Sequence, residues 1–227
     1  MKLGVVVAMD KEFERVKALL EEATLSATHG QTFATGKVGR NTIVATQCGI
    51  GKTNAAIGTT QLLNLFEPEA VVSTGVAGGA DTTLEVCDAV VATQTCYHDV
   101  YCGSEAAYGQ IIGLPQRFDG DSALINKALS LQCGTTIRAG LTVTGDRFVD
   151  SRETMRSILE HFPNAMAVDM ESAAIAQTCY LRHVPFVSFR IISDIPLKDN
   201  KAQQYVDFWA RLADKSFSVT RALLQVL

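Results

Sequence analysis

Residues 165–194 read AMAVDMESAAIAQTCYLRHVPFVSFRIISD, and this stretch decides the fold class. The apolar run Ala165–Val168 ends in Asp169-Met170-Glu171. A helix over Glu171–Arg182 follows, then a second buried strand over Phe186–Ile192 that ends in Ser193-Asp194. Strand, helix, strand is the unit of a sheet covered by helices. Two earlier runs end in the same manner. Leu3–Ala8 leads to Met9-Asp10-Lys11-Glu12, and Ala70–Ser73 leads to Thr74-Gly75-Val76-Ala77-Gly78-Gly79. An open parallel sheet binds ligands outside the carboxyl ends of its strands. If these four runs are neighbours, Glu12, Glu171 and Asp194 meet in one crevice beside a glycine turn.

Outward from there, the spacing of apolar residues predicts helices over Glu12–Leu20, Lys52–Phe66, Ser122–Leu131 and Ser151–His161. Ser151 is placed as the N-cap of the last of these. Strands are expected at Gln31–Thr35, Thr42–Gln47, Asp88–Thr95 and Arg138–Thr144. Tyr97–Asp119 lacks periodicity and reads as a long loop, a kind of segment that is often functional. Tyr205–Leu227 reads as one amphipathic helix with Phe208, Trp209, Leu212, Phe217, Val219 and Leu223 on its apolar face. The alternation predicts a single three-layer α/β/α sandwich over residues 1–227.

The totals narrow the function. A chain of 227 residues suits one α/β domain with a sizeable core. Net charge is −4, with Lys and Arg scattered, so the clustered basic face of a nucleic-acid binder is missing. No apolar run approaches a membrane span. Leu3–Ala8 is followed at once by charges, which suits a first strand better than a signal peptide. The six cysteines show neither CxxC nor zinc spacing, so the expectation is a reducing cytoplasm, no metal and no cofactor.

Individually the motifs have plain readings. Gly51-Lys52-Thr53 is not a P-loop, because Thr46 stands where the first glycine belongs. Its glycines let the backbone turn into a helix, with Ile50 bordering a ligand. Gly75–Gly79 lacks the dinucleotide pattern and reads either as a plain turn or as a close approach to a ligand. Glu12 and Glu171 each suit a helix start. Arg190, inside an apolar run, needs an acidic partner, and Glu12 and Glu171 are the candidates. His98-Asp99 is expected as a surface pair, since adjacent residues of an extended chain face opposite ways.

Taken together and in order, Ala8-Met9 with Glu12, Cys48–Lys52, Ser73–Gly79, Thr144–Phe148, Val168–Glu171 and Arg190–Asp194 resemble the nucleoside phosphorylase/nucleosidase family. The resemblance runs over almost the whole chain and is nearest the nucleosidases of 5′-substituted adenosines. It implies an α/β sandwich around a mixed, distorted sheet, and hydrolysis of an adenine–ribose bond without a cofactor. Carried over, Glu12 is the base on a water, Asp194 protonates the adenine N7, and Arg190 orients Glu12, Glu171 and the water. Glu171 holds the ribose hydroxyls with Met170 beside the sugar. Phe148 stacks on adenine and the Val149 main chain bonds it. Met9, Ile50, Val76, Ala77, Gly78, Ser193 and Tyr205 complete the expected substrate site. A homodimer whose 5′ pocket is completed by the partner is implied as well.

The chain departs from that pattern in three places. Val76 stands where nucleosidases carry Ser, and Asp169 where they carry Glu. The loop His98–Tyr108 is a residue short, and its aromatics are Tyr101 and Tyr108, one or the other of which is expected to border the 5′ substituent across a dimer interface. Two other functions compete. Phosphorolysis calls for an Arg before the glycines, where Val71-Val72-Ser73-Thr74 offers none. A nucleoside-binding protein without catalysis would not need Glu12, Glu171, Arg190 and Asp194 together.

Overall fold

The computed structural model describes residues 1–198 and 201–227, leaving out the side chains of residues 201, 202, 211, 212 and 214–216. The amino-terminal half runs β1 (Lys2–Val7), α1 (Asp10–Ala18), β2 (Glu21–Thr28), β3 (Gln31–Val38), β4 (Asn41–Gln47), α2 (Lys52–Phe66) and β5 (Ala70–Gly79). Next come β6 (Ala89–Tyr97), β7 (Phe118–Asp119), α3 (Ser122–Leu129), β8 (Ile137–Thr144), α4 (Arg152–His161) and β9 (Ala165–Asp169). The chain closes with α5 (Ser172–Leu181), β10 (Phe186–Asp194), α6 (Lys201–Asp207), a π turn at Phe208–Leu212, and α7 (Ala213–Val226).

The ten strands form one mixed sheet in the order β10-β6-β8-β9-β5-β1-β4-β3-β2, with β7 beside β6. A further parallel pairing of β10 with β5 closes β5, β10, β6, β8 and β9 into a ring. That closure is the distortion of the sheet. It also puts the carboxyl ends of β1, β5 and β10 side by side, because all three run parallel.

Helices cover both faces. Phe13 and Val16 of α1, Leu124 and Ile125 of α3 and Phe217 and Leu223 of α7 pack against one face. Ala55, Leu62 and Leu63 of α2 and Ala173–Ala176 of α5 pack against the other. Each large side chain so buried contributes roughly 1.5–3 kcal/mol. No helix among the described residues is long and apolar enough to cross a membrane.

Ser151 does cap α4, its Oγ accepting from the Thr154 amide at 3.0 Å. Several expectations need correcting. β2 is a strand outside the expected set: it alternates Ala23, Leu25 and Ala27 with Thr24, Ser26 and Thr28, yet all its residues are exposed except half-buried Thr28. It is an edge strand held by its backbone pairing to β3. β7 is only two residues of the long loop, held by β6. Gly75–Gly79 is not a turn. β5 continues to Gly79, paired to β10 on one side and to β9 on the other. Small residues there let neighbouring backbone approach closely. The C-terminal helix is interrupted by the π turn, and the Leu212 side chain lies outside the described residues.

Candidate active site

A cleft of about 660 Å³, counting its open mouth, lies at the carboxyl ends of β1, β5, β9 and β10. It brings together Met9, Glu12, Ile50, Val76, Ala77 and Gly78 from the first half of the chain. From the second half come Phe148, Val149, Met170, Glu171, Ser193, Asp194 and Tyr205. Arg190 does not line it; the side chain is 1 % exposed and lies behind the acids.

Glu12 sits in the first turn of α1, and its carboxylate turns back onto the strand end. Oε2 accepts from the Ala8 and Met9 amides at 3.0 Å each, and Oε1 from the Val76 amide at 2.9 Å. Gly75 makes the last contact possible. Its φ is +137°, and a β-carbon there would run into Glu12 Oε1 and come within 3.0 Å of Arg190 Nη1. Burial raises the Glu12 pKa, outweighing the Arg190 charge and the three amides that lower it. The result is a desolvated carboxylate of enhanced basicity.

The nearest acid to Arg190 is neither of the two expected. Asp169 Oδ2 lies 2.9 Å from Arg190 Nε, whereas Glu171 Oε2 lies 3.8 Å from Nη2. Glu12 acts on Arg190 through its charge. The guanidinium also donates to Ser172 Oγ, Thr74 O and Ser73 Oγ. Asp169 in turn accepts from Thr144 Oγ1 at 2.6 Å, from Ser172 Oγ and from the Ser172 amide. A buried cation is thus held by one close carboxylate, a second at 3.8 Å and three hydrogen bonds, as burial of charge requires. Strand-end position marked Asp169 as an acid of the region. Its pairing depends on how β9 and β10 sit in the ring, which no local pattern records.

Glu171 reaches across to α2. Its Oε1 accepts from the Gly51 amide at 2.9 Å. Burial raises its pKa to about 7, helped by the Asp169 charge and opposed by Arg190. Asp194 reaches the cleft through an irregularity. The β10–β5 register shifts between Ile192 and Asp194, so Asp194 stands opposite Gly78. Bulges of this kind re-aim a side chain. Ser193 Oγ donates to Asp194 Oδ1 at 2.7 Å, and Asp194 is 6 % exposed.

An apolar shelf faces these acids. Phe148, 58 % exposed, meets Tyr205 edge to face at 5.8 Å, with buried Val149 beneath. Ile50, 53 % exposed, stands on the α2 side. Arg147, Ala8, Val168 and Asp169 also line the cleft, though sequence reasoning did not name them as binding residues.

Within a single chain Tyr101 and Tyr108 lie outside this cleft, and their expected place at the 5′ substituent involves a second subunit. Tyr108 stacks on His161 at 3.7 Å, and Tyr101 packs on Tyr108 at 6.1 Å. One expectation fails here: His98 is not at the surface. It is buried against Gly145, and burial lowers its pKa, while only Asp99 remains partly open.

Residues 2–225 match the family model of the phosphorylase superfamily. The chain belongs to the phosphorylase superfamily. Within it, the chain is 38% identical over 229 residues to 5′-methylthioadenosine/S-adenosylhomocysteine nucleosidase of Staphylococcus aureus, covering 99% of this chain and 100% of that protein. The nucleosidase structure from Neisseria meningitidis, in complex with methylthio-immucillin-A, superposes with TM-score 0.91 at 34% identity, covering 100% and 99% of the two chains. The one from Colwellia psychrerythraea, in complex with adenine, gives 0.92 at 34%, covering 100% and 96%. A distorted mixed sheet between helix layers is therefore the superfamily architecture, and its strand ends carry the cleft.

Proposed function

We propose that the protein hydrolyses the bond between adenine and ribose in 5′-substituted adenosines of the methylthioadenosine and S-adenosylhomocysteine class. The observation that carries this is the pairing, in one cleft, of desolvated Glu12 with Asp194 on a shelf fit for a planar base. The full-length likeness to nucleosidases supports it.

In this reading adenine lies on Phe148 and Val149. Asp194 gives a proton to N7 as C1′–N9 breaks and its electron pair passes into the base. The ribose is left with oxocarbenium character, which the nearby carboxylates stabilise. Glu12 takes a proton from a water whose oxygen bonds to C1′. The products are adenine and the free 5′-substituted ribose. Glu171 accepts from the ribose hydroxyls while the Gly51 amide holds its Oε1, and Arg190 keeps the acids in place from behind. Val76 lines the cleft where a serine hydroxyl would stand in relatives, so its amide, not a side chain, serves Glu12 there.

Water rather than phosphate is the nucleophile in this reading. β5 has no Lys or Arg from Ala70 to Gly79 with which to clamp a dianion. The test is product identity from methylthioadenosine with and without phosphate. Adenine and free methylthioribose at equal rates in both buffers are expected. A ribose 1-phosphate, or no adenine release at all, overturns the reading.

We also take the working unit to be a homodimer in the cytoplasm. Exposed Ile57 and Leu65 on α2 and Tyr180 and Leu181 on α5, two helices packed together, offer an apolar face for a second copy. Six free thiols suit a reducing compartment.

A further inference from the structure

The loop between β8 and α4, residues 145–150, carries Phe148 and Val149, yet Asp146, Arg147 and Phe148 are exposed. Something other than burial must fix it. Gly145 donates to Asp169 O at 3.1 Å on the side of the acids. On the other side the loop is tied to α2 and to the end of β6. Asp146 Oδ1 accepts from the Lys52 amide at 2.8 Å. The Asp146 amide donates to Asp99 Oδ2 at 2.8 Å. Lys52 Nζ donates to both Asp99 oxygens at 2.8 Å and lies 3.9 Å from Asp146 Oδ2. The Lys52 ammonium is further held over the Tyr97 ring at 5.3 Å.

The need for these carboxylates comes from α2 itself. Its N-cap is Gly51, at φ +96°, which has no side chain to satisfy the first amides. A β-carbon at Gly51 would stand 3.0 Å from Asp146 Oδ1. Two acids from other elements do the capping. Glu171 takes the Gly51 amide and Asp146 takes the Lys52 amide. The start of α2 therefore joins the sugar side of the cleft to the base side.

We infer that Asp146 and Asp99 are positioning residues, latching the base-binding loop to α2 through Lys52. This rests on the proposed function, in which Phe148 and Val149 hold adenine. The latch sets where the base sits and so acts on binding, leaving the proton transfers to Glu12 and Asp194.

The experiment uses the full chain, with methylthioadenosine as substrate and adenine as a separate binding probe. Losing a charge-assisted hydrogen bond should raise KM and the adenine Kd about tenfold in Asp146→Ala and in Asp99→Ala. Over the same variants kcat should change less than about threefold. Because both act through one loop, the double variant should lose much less than the product of the two effects. Asp146→Asn keeps an acceptor for the Lys52 amide and should restore most of the affinity; it and Asp99→Asn carry the test if an alanine variant fails to fold. Unchanged KM and adenine Kd, a fall confined to kcat, or fully multiplicative losses in the double variant overturn the latch. Wild-type protein that releases no adenine overturns the functional reading instead, and is recognised before any variant is made.

Discussion

Asp169 Oδ2 stands 2.9 Å from Arg190 Nε, both side chains almost wholly removed from water. This pair is the foundation under the acids of the cleft. Removing one partner of a buried ion pair leaves an uncompensated charge, at a cost of about 3–5 kcal/mol. Asp169→Asn should therefore lower the melting temperature on the order of 10 °C. It should also lower kcat, since Arg190 would shift toward Glu12 and Glu171. Calorimetry and steady-state kinetics check both, and a variant as stable and active as wild type would remove Asp169 from this role.

Asp194→Asn should fold normally, because the amide oxygen can still accept from Ser193 Oγ, the bond seen at 2.7 Å. It cannot deliver a proton to the base. Turnover should fall by at least roughly 10²–10⁴-fold, the usual contribution of general acid catalysis. Retained structure by circular dichroism with near-normal adenine release would exclude Asp194 as the acid.

The raised pKa values of Glu12 and Glu171 act oppositely on activity and on stability. Catalysis needs Glu12 ionised, so kcat/KM should fall as pH drops through its pKa, with the acid limb above the ordinary 4.5. Folding runs the other way. Between the ordinary carboxylate value of 4.5 and the raised value of about 7 for Glu171, the folded state holds protons that the unfolded state has lost. The contribution of Glu171 to stability is present below that window and is lost as pH rises through it, and the raised Glu12 carboxyl acts in the same direction. A pH–rate profile and urea midpoints across the window measure both. Full activity held down to pH 4.5 would contradict the raised pKa of Glu12.

Gly75→Ala should be disproportionately damaging for one methyl group. The backbone φ of +137° disfavours any side chain, and the new carbon meets Glu12 Oε1. A loss of about 1–3 kcal/mol of stability is expected from backbone strain. A much lower kcat should accompany it as Glu12 is pushed from the Val76 amide. Kinetics and denaturant midpoints of this variant decide the matter; a merely slower enzyme of wild-type stability would show that the segment yields easily.

What the chain itself determines is local and periodic. The apolar runs at Leu3–Ala8, Ala70–Ser73, Ala165–Val168 and Phe186–Ile192 are strands because each hides its side chains on both faces, and the acids that follow three of them, Glu12, Glu171 and Asp194, stand buried at the cleft. The motif order from Met9 to Asp194 carries the family. Those features survive in one dimension, since side-chain periodicity depends only on neighbours along the chain. The remaining features depend on contacts between distant segments. β2 has no buried face to betray it, and Gly75–Gly79 is strand because β10 and β9 flank it. Arg190 takes Asp169 as its closest acid, ahead of the expected Glu171, because closure of the sheet sets which strands lie together. The register shift before Asp194 and the capping of α2 by Glu171 and Asp146 likewise arise only in the folded chain. Tertiary structure decides these because buried charges and unpaired amides take whichever partner the packing brings within hydrogen-bond reach.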